Sequence, residues 1–188
     1  MHVRIRPDDR LHREDHADLH NSKPTRMQSF QLVGISPGPF QSLFELPDAD
    51  LARLHARRVV ATEKPGFPCR VSLVDAEVGE ELLLLPYTHQ PAASPYRASG
   101  PIFVRKGAKQ RFLAVNEVPA YVSLRLISLR AYDSAHMIVD ADVCEGQSVV
   151  SAIERLFGDA RVQYIHLHNA KRGCFSCLVK RAQANAGP

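Results

Sequence analysis

Residues 138–180, IVDADVCEGQSVVSAIERLFGDARVQYIHLHNAKRGCFSCLVK, carry three kinds of pattern in succession, and together they decide the fold class. At first polar and apolar side chains alternate, the mark of a strand with one face in a core. After Gly146-Gln147-Ser148 the apolar positions become Val149, Val150, Ile153, Leu156 and Phe157, one stripe of a helix that Gly158 closes. Alternation returns over residues 162–168 and again over 174–180, joined by the five residues Asn169-Ala170-Lys171-Arg172-Gly173. The strand, helix, strand order predicts a right-handed parallel crossover. The short connection after it predicts an antiparallel hairpin, with Gly173 free to take a positive φ.

Working back from this stretch, residues 122–131 and 102–105 read as strands, and Asp133-Ser134 as the turn that leads into the strand beginning at His136. Nearer the start, Phe30, Leu32 and Ile35 suggest a short strand stopped by Ser36-Pro37-Gly38-Pro39. Two short helices follow, one with Phe40, Leu43 and Phe44 at helical spacing, the other restarted at Pro47-Asp48. Residues 58–62, 69–74 and 81–85 are predicted strands, with Pro65-Gly66-Phe67-Pro68 as a rigid turn. Residues 86–101, PYTHQPAASPYRASGP, contain four prolines and are expected to form a long irregular loop, since proline removes a ladder donor and breaks helices. The expectation is an α+β single domain: a mixed, mostly antiparallel sheet, two or three helices and a long proline-rich loop.

Composition is that of an ordinary globular chain. Of 188 residues 45% are hydrophobic and 23% charged, and no apolar run approaches the roughly 20 residues that a membrane helix needs. Residues 1–26 differ, with four histidines (His2, His12, His16, His20), six basic and five acidic residues and no aromatic one. They are expected to form a flexible arm or leader outside a domain of residues 27–182, with residues 183–188 as a frayed end. The formal net charge of +4 is dispersed among acids, unlike the concentrated stripe of a nucleic-acid binder, so no nucleic-acid partner is expected. The opening residues hold no apolar core of a secretory signal, so the expected location is cytoplasmic and the four cysteines, Cys69, Cys144, Cys174 and Cys177, are expected reduced.

Three long irregular motifs permit a family comparison: KPGFPCRVSL at 64–73, LLLLPYTHQPAASPYRASGPIFVR at 82–105 and YIHLHNAKRGCF at 164–175. In these, in order, the chain resembles a bacterial family catalogued as domain of unknown function 1203, from about Met27 to about Arg181. The resemblance implies a boundary near Met27. It implies no reaction, ligand or cofactor.

The final hairpin is the most suggestive segment chemically. His166 and His168 are two apart on a strand and share a face, whereas Cys174 and Cys177, three apart, point to opposite faces unless a bulge intervenes. A zinc site on these four residues is therefore not expected, and no metal is assigned. A regular hairpin would pair His168 with Cys174, making Cys177 a core residue and Cys174 a partner of the imidazoles. Cys174 is the candidate nucleophile and His168 the candidate general base. Arg70, Arg97, Arg105 and Arg172, flanking irregular segments, with His89, are the candidate groups for holding a carboxylate or phosphate. His136, Asp140 and Asp142 form a polar column that a solvated sheet face explains without chemistry. No P-loop, dinucleotide-binding glycine pattern, nucleophile elbow or H-E-x-x-H motif occurs, and no cofactor is expected. The function expected is binding of a small anionic molecule in an Arg/His/Cys-lined pocket. Turnover by an enzyme and a non-catalytic ligand- or protein-binding module both stay open.

Overall fold

A computed structural model describes residues 28–182. The arm expected at residues 1–26 and the frayed end expected at 183–188 lie outside the described residues. Ten strands occur among the described residues: β1 (Phe30–Val33), β2 (Arg57–Val60), β3 (Pro68–Cys69), β4 (Val74–Asp75), β5 (Glu81–Gln90), β6 (Ala98–Arg105), β7 (Leu126–Tyr132), β8 (Ile138–Glu145), β9 (Tyr164–Asn169) and β10 (Phe175–Arg181). The α-helices are α1 (Gly38–Gln41), α2 (Asp48–Arg53), α3 (Ala120–Ser123) and α4 (Val149–Phe157). The arrangement is α+β and mostly antiparallel, as expected. The described residues hold four α-helices rather than two or three, and two five-stranded sheets rather than one, ordered β1-β10-β9-β7-β8 and β2-β5-β6-β3-β4. Among the described residues only β3 and β6 pair in parallel.

The first sheet follows from the alternations in its sequence. Ile127, Leu129 and Ala131 of β7, Ile165 and Leu167 of β9, and Cys177 and Val179 of β10 turn one face toward α4. That helix answers with Val149, Ala152, Ile153, Leu156 and Phe157. The helical stripe and the strand faces are complementary apolar surfaces, and burying them is the main force on this half of the chain. The crossover read from the sequence is present in modified form. Strands β8 and β9 are each antiparallel to β7 and so run parallel to one another, but β7 lies between them.

The proline-rich stretch is not a long loop. Strands β5 and β6 run through most of it as one hairpin, with Pro86 opposite Pro101 and only residues 91–97 left to turn the chain. Two prolines fit because backbone groups on a strand face alternate sides. The Phe103 carbonyl accepts from the Arg70 amide on the β3 side, so Pro101, two residues earlier, also turns its nitrogen away from β5. Beside Pro101 the two-residue β3, which runs parallel to β6, has not yet begun, and β2 does not pair beyond Leu84, so neither proline removes a ladder bond. The stretch 69–74, expected as a strand, instead turns tightly between β3 and β4, with Leu73 at φ +55°. Residues 122–131, expected as one strand, begin as the end of α3.

A candidate anion-binding cleft

The register of β10 on β9 decides where the chemistry sits. Phe175, not Cys174, lies opposite His168, Cys177 lies opposite Leu167, and the register shifts at Ser176 between them. Ser176 is fully buried; its hydroxyl donates to Tyr121 Oη at 2.9 Å, and that phenol donates to the Ser176 carbonyl at 3.1 Å. This anchorage accounts for the bulge. One extra residue moves Phe175 onto the histidine face while Cys177 stays in the core with Leu167 and Val179. Burial pushes the Cys177 thiol up to about 11, so it remains protonated and inert.

The histidine face, turned away from α4, packs against the far end of the β5–β6 hairpin. His89 from β5 meets His168 at 5.0 Å and His166 at 6.0 Å between ring centroids. Phe175 sits among the three, stacked on His89 at 5.2 Å and edge-on to His166 at 5.1 Å and His168 at 5.8 Å. Tyr132 and Tyr164 stack beside them at 5.0 Å, and Gln90 donates to Tyr164 Oη at 2.7 Å, tying the two sheets together. Burial pulls His166 down to about 3, with smaller contributions from His168, His89 and Arg130. Burial likewise takes His168 to about 4, opposed by the Gly173 carbonyl that faces its Nδ1 at 3.0 Å. Both imidazoles are neutral at pH 7, and a group at about 4 is a weak base there. This seam is a packed junction. Among the described residues no three His, Cys, Asp or Glu side chains are placed to hold a metal ion.

The open site lies on the other side of the loop that joins β9 and β10, where the two sheets meet. A cleft of about 740 Å3 takes in Arg70, Arg125, Lys171, Arg172 and Cys174 with Phe67, Phe103 and Leu124. Arg70 is its deepest cation, 2% exposed. It is held by the tight turn after β3, donating from Nε to the Phe175 carbonyl at 2.8 Å and from Nη1 to the Pro68 carbonyl. Among the described residues it makes no ion pair, and no hydrogen bond engages its Nη2. Burial pulls its pKa below the usual arginine value, but a guanidinium stays charged in proteins. Arg125 is different, because it is already neutralised by a two-pronged bond to the buried Asp75 at 2.7 and 3.1 Å. Lys171 and Arg172 project exposed from the hairpin loop, where Gly173 has φ +71°. Two exposed acids, Glu63 and Glu145, complete the charged part of the lining.

Of the residues selected from sequence, the fold brings Arg70, Arg172 and Cys174 to this cleft. His168 and His89 lie in the seam instead, and no histidine among the described residues lines the cleft. Cys174 makes a weak contact with the Arg172 carbonyl at 3.8 Å. Arg97 is on the exposed hairpin tip, bonded to the Pro91 carbonyl at 2.9 Å, and Arg105 pairs with Glu80 at 2.6 Å. The polar column is interrupted too. His136 has left the strand at φ +61° and its Nδ1 meets Tyr164 Oη at 2.9 Å, while Asp140 and Asp142 pair with Arg155 of α4. Sequence reasoning passed over Arg125, Phe67, Phe103 and Leu124 as site residues. Only the Pro65-Gly66-Phe67-Pro68 turn gave any signal, as a rigid segment next to Arg70.

Fold and site together define an α+β chain of two mostly antiparallel sheets with a cationic cleft at their junction. The family described as Protein of unknown function (DUF1203) matches residues 66–181, and the chain belongs to that family. The match begins after β2, later than the Met27 boundary that the resemblance implied, and it includes Arg70, Arg172 and Cys174. No curated protein and no solved structure matches the chain.

Proposed function

We propose that the chain binds a small anion, a carboxylate or a phosphate, in this cleft, with Arg70 as the anchor and Lys171 and Arg172 as outer cations. One observation carries the reading: a buried guanidinium that, among the described residues, has no carboxylate partner and keeps one unengaged nitrogen at the cleft. An uncompensated buried charge is costly, several kcal/mol in typical cases, and backbone carbonyls neutralise only part of it. An anion at Nη2 would supply the missing charge and a charge-assisted hydrogen bond. The exposed loop cations would strengthen capture at low salt.

A catalytic version of this reading rests on Cys174, half-buried in the same lining. His168 has no part in it, because it faces the seam and is too weakly basic at neutral pH. Titration with inorganic phosphate and with acetate, followed by thermal shift, tests binding, since a ligand of the native state raises the midpoint. The expected result is a rise that is lost in Lys171→Gln/Arg172→Gln and in Arg70→Gln. Absence of any rise with either anion at low salt removes the reading. Protection of Cys174 from alkylation by the bound anion would support turnover chemistry at this thiol, and unchanged alkylation would leave binding alone.

A further inference from the structure

The cleft has a second wall that a bare inorganic ion would not use. Phe67 and Phe103 line it as a tilted pair, ring centroids 5.3 Å apart, both half-buried. Only part of each ring packs inward, against the small cluster of Ala61, Ala76 and Leu82. Leu124, the residue that follows α3, borders the same space and is 67% exposed, the most exposed large aliphatic side chain among the described residues. Isolated exposed apolar residues need no explanation, but an aromatic pair and a bare leucine in one concave lining is the composition of a site for an apolar body. Arg70 lies deeper in the same lining and is, among the described residues, the one buried charge without a counter-ion.

From this juxtaposition we infer that the ligand is an amphiphilic organic anion: a carboxylate or phosphate that reaches Arg70, joined to a flat or aliphatic body lying on Phe67, Phe103 and Leu124. The inference rests on the anion-binding reading and adds the substrate class to it. Neither wall suffices alone. The cation favours any anion, including the inorganic ones abundant in solution, and the apolar wall is what separates an organic anion from them. The cavity volume agrees, since about 740 Å3 lies in the ~300–1,000 Å3 range of small-molecule pockets and far exceeds what one phosphate fills.

Paired probes test it by titration calorimetry on the full chain: phenyl phosphate against inorganic phosphate, and benzoate against acetate. Burying one ring is expected to tighten binding by about tenfold or more within at least one pair, and the tighter pair identifies the anionic group. Phe103→Ala is expected to abolish that preference. Leu124→Ser is expected to reduce the preference, and it removes an exposed side chain, so folding is not at stake. Arg70→Gln is expected to weaken every probe. If the ring-bearing and bare anions bind within about twofold of one another in both pairs, the amphiphile inference is wrong and anion binding stands. If no probe of any kind binds, both fall. A preference that survives both apolar substitutions also overturns the assignment of this wall.

Discussion

Lowering the pH from 7 to 5 should destabilise this protein through two buried imidazoles. His166 and His168 are held at about 3 and about 4 in the folded chain, against an ordinary value of 6.5, because burial penalises their charged forms. As pH falls through 6.5, each histidine of the unfolded chain takes up a proton that its folded counterpart refuses. The unfolded state then binds more protons, and stability falls with pH until the folded values are reached; above 6.5 it is fully present. At pH 5 the unfolded imidazole is about 1.5 units into its titration, worth about 2 kcal/mol for each histidine and about 4 kcal/mol for the pair. The figure depends little on the folded values, since both lie well under 5. His89, also shifted downward by burial, acts in the same direction. Glu80, Glu81, Asp142 and Asp159 are held below their ordinary values and so titrate beneath this window. Urea unfolding followed by circular dichroism at pH 7, 6 and 5 measures the effect. His166→Phe isolates it, because that ring makes no hydrogen bond among the described residues and packs against Tyr132, Tyr164 and Phe175. This variant should recover about half of the loss between pH 7 and 5. A wild-type stability that changes by less than about 1 kcal/mol over that range would refute the burial argument, as would a variant with the full pH dependence.

Three further outcomes follow from the packing. In Gly34→Ala the new Cβ would stand 2.0 Å from the Val71 carbonyl oxygen, so the variant should lose about 3 kcal/mol or more in chemical denaturation. A loss under about 1 kcal/mol would mean that the strand and turn separate easily there. Asp75→Asn leaves Arg125 without its partner at a site where the carboxylate is 5% exposed, and should cost about 3–5 kcal/mol, read as a fall in melting temperature. Native-state alkylation with mass-spectrometric mapping should label Cys174 first and spare Cys69 and Cys177, which are 0% and 1% exposed, until the chain unfolds. Early labelling of Cys177 would contradict its assignment to the core.

The parts of the fold legible in sequence are those governed by spacing along the chain. The α4 stripe, the terminal hairpin and the inward face of Cys177 all follow from a period of 3.6 or 2 and emerged with little error. The proline-rich stretch departs from its expected loop because the cost of a proline in a strand depends on which side its nitrogen faces and whether a neighbour is there to miss it. The hairpin register was misread at Ser176 because the bulge is set by Tyr121, 55 residues away along the chain. That single shift took Cys174 off the histidine face, and with it the expected thiol and imidazole pair.

The division has a physical cause. Alternation and helical stripes are local, and they dictated which faces of each element must leave water, hence the α+β class and most of the core. A charge is different: its environment depends on every group that folding brings near it. Arg70, Arg125 and Arg105 look alike in sequence, yet Asp75 neutralises Arg125 and Glu80 pairs with Arg105, while the meeting of the two sheets buries Arg70 with, among the described residues, carbonyls alone. That unequal distribution of partners, set by contacts far apart in the chain, is what turns one arginine of many into the anchor of a cleft.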